Sequence, residues 1–140
     1  MTKAGDWTPW GPAQHVEPLR EGVELVQTAS HGGLRLSTEV AATLPTGFKG
    51  FADGGRVWHE EDIDMPMILW FLRLGWLPTL CLPETRLFDY GENVAQHGGR
   101  SASNWQALKA ERSARMHRSA QRANARFRAA RARALAEVAA

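Results

Sequence analysis

Arginine dominates the end of this chain. Residues 101–140 hold Lys109 and eight arginines against Glu111 and Glu137, a net charge of +7, while the first hundred residues carry 8 basic and 13 acidic groups, a net of −5. Arg115, Arg118, Arg122, Arg126 and Arg133 fall near one stripe if this segment is helical. A guanidinium keeps its charge at every physiological pH and offers a planar fork of donors, so such a stripe can track the phosphates of a nucleic acid. The same pattern also suits a solvated helix whose arginines pair with acidic side chains of this copy or another. No zinc-finger spacing or RNA-binding motif accompanies it. Met116, Ala120, Ala123, Phe127, Ala130 and Ala134 follow a 4-3-4-3-4 spacing beside the arginines. That seam is thin for a coiled coil, which favours branched apolar residues at those positions.

A second set of residues could bind a metal or move a proton. His31 stands in Ser30-His31-Gly32-Gly33, where glycines let another backbone or a ligand come close. His59-Glu60-Glu61-Asp62 adds an imidazole and three carboxylates. If turn and acidic run meet in space, His31 with Glu61 and Asp62 could hold a divalent cation or act in acid/base chemistry. No second histidine follows four residues after His59, so the metalloprotease helix spacing is absent. Carboxylates at a helix N-terminus are also explained by capping and by the helix dipole, and that structural role is the expectation for Glu60, Glu61 and Asp62. Ser30 and His31, adjacent in an extended strand, would point to opposite faces and make a poor nucleophile and base. There is no nucleophile elbow, and neither His-Gly-Gly is a complete phosphate loop. The residues therefore assign no catalytic group, metal ligand or cofactor; His31 stays a candidate binding residue beside the arginines.

The elements that would position these groups follow from periodicity. Apolar residues at 44% and charged residues at 23% fit a globular chain. One cysteine, Cys81, excludes an internal disulfide, and its leucine neighbours suggest a small buried hydrophobe. The N-terminus lacks a signal-peptide h-region, and Asp64, Pro66, Arg73, Gly75 and Pro78 interrupt the most apolar stretch. The expectation is a cytoplasmic protein that does not engage membranes. Residues 14–19, 23–28 and 34–37, separated by Glu21-Gly22 and His31-Gly32-Gly33, read as an antiparallel meander. Ser37 or Thr38 caps a short helix that Pro45 stops, and residues 46–57 form a loop. A buried helix runs from Asp62 or Asp64, with Pro66 in its first turn, to Gly75; Ile63, Met67, Trp70, Phe71 and Leu74 share one face. Residues 76–100 read as irregular, and Ser101 or Ser103 starts a long helix. The six tryptophans are packing residues, Trp7 and Trp10 being the most exposed. The predicted fold is α+β: a small antiparallel meander packed on a buried helix over 1–100, then a basic helix over 101–140.

Four motifs in order also suggest a relationship. Thr8-Pro9-Trp10-Gly11-Pro12, Glu21-Gly22-Val23, Ala29-Ser30-His31-Gly32-Gly33-Leu34-Arg35-Leu36-Ser37 and Trp58-His59-Glu60-Glu61-Asp62 together resemble an uncharacterised domain of bacteriophages and plasmids. The resemblance spans about residues 8–75 and departs at His59, where a tyrosine is usual, and at Ile63, where a cysteine is common. It brings no activity with it. It implies a mobile-element setting, in which small proteins often inhibit host defence or adjust nucleic-acid transactions. The resulting expectation is a non-enzymatic binding module, an inhibitor of a host defence system among the options. Its body would dock a host protein or nucleoprotein complex, and its arginine helix would contact nucleic acid or an acidic protein surface. One alternative is a small metal- or acid/base-dependent enzyme using His31, Glu61 and Asp62. Another is an assembly protein that oligomerises through its terminal helix; the oligomeric state is open.

Overall fold

The computed structural model describes residues 1–48, 50, 57–74 and 82–140. It is α+β, as the periodicity predicts, and divides into two compact units, Met1–Leu108 and Lys109–Ala140. The division falls eight residues beyond the change in composition at residue 100.

In the first unit, β1 (Trp7–Thr8) and β2 (Gly11–Pro12) form a small hairpin. Strands β3 (His15–Arg20), β4 (Val23–Gln27), β5 (Gly32–Leu36) and β6 (Trp58–Glu60) make a four-stranded antiparallel sheet in chain order. The first three are the expected meander. Glu21 and Gly22 turn β3 into β4, and Gly22 sits at φ +77°, where a side chain would also strike Ser37 and Val40. β6 was not expected; it pairs Trp58 with Arg35, His59 with Leu34 and Glu60 with Gly33. Gly33 makes this possible, because a Cβ there would run into the His59 carbonyl oxygen and the Trp10 indole.

Both faces of the sheet are covered. On the inner face Val23, Leu34, Leu36 and His59 are buried. On the outer face Trp10 meets Trp58 edge-on at 5.6 Å, and Glu24 is buried beneath the N-terminal segment. Glu24 accepts from the Thr2 N–H at 3.0 Å and lies 3.5 Å from Arg35. This double cover explains why β4 departs from simple alternation.

Helix α1 (Thr38–Ala41) begins as expected at Ser37, whose Oγ accepts from the Val40 N–H at 3.2 Å. Helix α2 (Asp64–Leu72) buries Met67, Ile68, Leu69, Phe71 and Leu72, more than one face. It stops at Arg73, which adopts the left-handed conformation at φ 59°; the expected stop, Gly75, lies outside the described residues, as do Cys81 and the rest of 75–81. The acids do not cap it as expected: Ile63 occupies the N-cap with no side-chain bond.

The expectation of irregular structure over 76–100 fails where the chain is described. Glu84–Gln96 is helix α3, buried at Leu87 and Gly91. Gly91 is a notch here, not a stop, since a Cβ would meet the Trp105 indole at 2.6 Å. Trp105 nests there with Trp70 at 4.8 Å and Phe88 at 5.5 Å between ring centroids. It belongs to helix α4 (Gly99–Ala139), which starts two residues before Ser101. Trp105 and Leu108 join Leu34, Phe48, Met67 and Leu87 in one core. The tail's first turns are thus core of the body, because an indole has far more area to bury than the alanines that follow.

The second unit is α4 alone from Lys109. Beyond Ala114 every described residue is exposed.

Candidate functional site

Helix α4 displays the predicted stripe. At about 100° per residue, Arg115, Arg118, Arg122, Arg126 and Arg133 fall within an arc of about 80° and over about 27 Å of axis. Two of them are engaged: Arg115 Nε donates to Glu111 Oε1 at 3.0 Å, and Arg118 Nη2 to the same oxygen at 3.3 Å. These bonds, the one from Arg115 first, hold the Glu111 carboxyl below its ordinary range. Among the described residues no carboxylate lies within ion-pair distance of Arg122, Arg126 or Arg133. The bland reading of the stripe, a helix face neutralised by its own acids, therefore holds for its first turns and not for the remainder. Exposed guanidinium groups on a rigid helix can accept a polyanion with little desolvation and without rearranging the backbone.

The turn at His31 meets the acidic run, though with a different partner from the expected pair. Glu61 N–H donates to the Gly32 carbonyl at 3.0 Å, which brings residues 60–62 beside the turn. Strand alternation then turns His59 inward and Glu60 outward. His31 Nδ1 stands 3.9 Å from Glu60 Oε1, with the imidazole half exposed. Glu61 lies over Gly32, where a Cβ would come within 3.0 Å of its Oε2. Asp62 is drawn away: its carbonyl accepts from the Tyr90 hydroxyl, whose pKa is raised by burial and then by the Asp62 charge. Among the described residues no three His, Cys, Asp or Glu side chains are grouped to hold a metal.

One polar arrangement escaped the motif reading. His59 is wholly buried, its ring 5.5 Å from that of Phe48, and its Nδ1 lies 3.2 Å from Asp64 Oδ2. Arg100 Nη2 is 3.9 Å from the same oxygen. The pair joins β6 to the first turn of α2 and satisfies a carboxylate that burial would otherwise penalise. The only signal in the sequence was a histidine five residues before an aspartate in an apolar setting, which specifies nothing without the strand and helix that bring them together.

Among the described residues no helix is long and apolar enough to cross a membrane. A family model described as Domain of unknown function (DUF7007) matches residues 3–134. The match runs across the division between the two units and takes in α4 as far as Ala134, including the stripe from Arg115 to Arg133. No curated protein and no solved structure gives a significant match.

Proposed function

The chain belongs to that family, and we propose that it is a non-enzymatic binding module whose arginine stripe on α4 takes the phosphate backbone of a nucleic acid. One observation carries the reading: Arg122, Arg126 and Arg133 stand on one exposed helix face with no carboxylate in reach among the described residues. The first unit, with a net charge of −5 from 8 basic and 13 acidic groups, is repelled by phosphate and is the part suited to docking a protein. The resemblance of the four N-terminal motifs to a domain of phages and plasmids supports a further step. In that setting the module would engage a host nucleoprotein complex, inhibition of a defence system being the natural use.

Backbone binding has a distinctive salt dependence. Each arginine on a phosphate releases condensed counterions, so three such contacts give a log–log slope of about −2.7 on duplex and about −2.1 on single strands. Gel shifts of the full chain over a range of salt test this, with Arg122, Arg126 and Arg133 changed together to glutamine, which keeps the helix. The variant should bind more weakly by a similar factor on unrelated sequences, because phosphate contacts carry no base information. If the wild-type chain ignores nucleic acid even at low salt, the stripe serves an acidic protein surface and the proposal fails.

A further inference from the structure

Beside the arginines lies a second feature of α4 that phosphate binding does not use. Met116, Phe127 and Val138 are 65%, 68% and 86% exposed, although they follow one another at intervals of 11 residues. Eleven residues are close to three turns, so the three lie on one line of the helix with alanines between them. Large apolar side chains lined up in this way seldom face water on a helix with no partner.

We infer that this seam packs against the same seam of a second copy, with the two helices antiparallel. The order of large and small residues carries the inference. An antiparallel alignment with its two-fold axis beside Ala125 sets Met116 against the partner's Ala134, Ala120 against the partner's Ala130, and Ala123 against the partner's Phe127. Met116 and Phe127 then each meet an alanine: Phe127 and Ala123 pair on either side of the axis, alanine meets alanine in the next layers out, and Val138 lies beyond the paired layers. Helix axes can approach closely on such a surface while the large groups fill the spaces between layers. A parallel, in-register pair would stack Met116 on Met116 and Phe127 on Phe127 and leave gaps at the alanine layers.

Flanking charge selects the same orientation. In the antiparallel pair Asn124 meets the partner's Asn124, Ser119 meets the partner's Arg133, and His117 meets the partner's Arg131; one like-charged arginine contact remains, Arg126 on the partner's Arg126. The parallel pair would set Arg126 against the partner's Arg131 and Arg112 against the partner's His117, each twice over. All paired positions fall within Lys109–Ala140, the unit whose face is exposed. A two-fold antiparallel pair also carries the same flank of both helices on one side. On the reading proposed above, the two arginine stripes then form one continuous surface for a polyanion, twice as rich in guanidinium groups as a single copy.

The prediction for salt is opposite in sign to that for nucleic acid. Each helix segment holds 9 basic and 2 acidic residues, so the copies repel at low ionic strength and screening strengthens the pair. Sedimentation equilibrium of the full chain should show a monomer–dimer equilibrium that shifts toward dimer as salt rises. Changing Ala120 and Ala130 together to glutamine blocks close approach without altering charge and with only a small loss of helix propensity. Dimerisation should weaken at least about tenfold, a loss of about 1.4 kcal/mol, with helix content by circular dichroism unchanged. Orientation is read with a short thiol cross-linker in a Cys81→Ala background. Asn124→Cys should link to its own copy. Ala134→Cys alone should not, since the two sites lie about 27 Å apart along the pair. A chain that stays monomeric at all salts overturns the inference, as does self-linking of Ala134→Cys without Asn124→Cys. So does a double glutamine variant that dimerises like wild type. None of these readouts involves nucleic acid, so failure here leaves phosphate binding standing, and loss of phosphate binding leaves the dimer standing.

Discussion

Helix α4 is one element held by two different causes. From Gly99 to Leu108 it is kept in place by burial, with Trp105 and Leu108 wholly inside the core of the first unit. From Lys109 onward no residue is fully buried, beyond Ala114 all are exposed, and Met116, Phe127 and Val138 lie in the open. The helix continues because its residues are strong helix formers without glycine or proline, and because Glu111 and Arg115 pair at the favourable i,i+4 spacing with the acid first. Continuity of secondary structure is therefore no guide to where a domain ends. Composition changes at residue 100, whereas the packing ends at Leu108, where the last large side chain finds its socket.

Cutting the chain should have the largest effect. Truncation after Gly99 removes both Trp105 and Leu108, each worth about 2–5 kcal/mol in a core, which together match the whole stability of an ordinary domain. That fragment should show no cooperative thermal transition, while truncation after Ala114 should retain one. A cooperative transition in the shorter fragment would mean that the first turns of α4 are not part of the core. Single substitutions sharpen the contrast. Trp105→Ala should cost about 3–5 kcal/mol in chemical denaturation, whereas Phe127→Ala should leave monomer stability within about 0.5 kcal/mol.

Glycine and alanine exchanges should then have unexpected signs. Gly91→Ala gains about 1 kcal/mol of helix propensity, yet its Cβ would press on Trp105 at 2.6 Å, so the net change should be a loss of about 1–3 kcal/mol. Ala125→Gly, in the exposed part of α4, has no packing to disturb and should lower only local helicity, by about 1 kcal/mol. If Gly91→Ala stabilises the protein, the notch is not tight.

The smallest expected effect concerns Glu111. Its pKa is lowered chiefly by the hydrogen bond from Arg115, so its contribution is present above the ordinary carboxylate range and lost as pH falls through the depressed value. The pair is exposed to solvent, and Glu111→Gln should cost no more than a few tenths of a kcal/mol. On the proposed phosphate-binding reading, the same change also removes the Glu111 bond to Arg118, so affinity for duplex should rise and its salt slope should steepen. Helicity measured across acidic pH, beside gel shifts of this variant, checks both halves.

Much of the fold was legible from local pattern. The meander announced itself through period-two alternation broken by glycine, α2 through its apolar face, and the arginine stripe through helical spacing. β6 was not legible, because three residues form a strand only when β5 offers an open edge beside Gly33. α3 was not legible because Pro78, Pro83 and His97-Gly98-Gly99 make the whole stretch read as irregular, and the place of Gly91 within a helix is visible only once Trp105 fills the notch. Glu60, Glu61 and Asp62 looked like capping acids; they are instead divided among the His31 turn, Gly32 and Tyr90.

What the sequence determined by itself is the character of α4 beyond Leu108: its helicity, its arginine stripe and its seam of alanines with Met116, Phe127 and Val138. Nothing packs on that segment within the unit it forms, so intrinsic propensity and the 3.6-residue period suffice to place every side chain. The tertiary structure alone decided which way His59 and Glu60 face, and which partner each meets. Neighbours on a strand point to opposite sides, so a choice of register sends one into the core to Asp64 and the other out to His31. That choice depends on Leu34 and Gly33, more than twenty residues earlier, and no local pattern contains it.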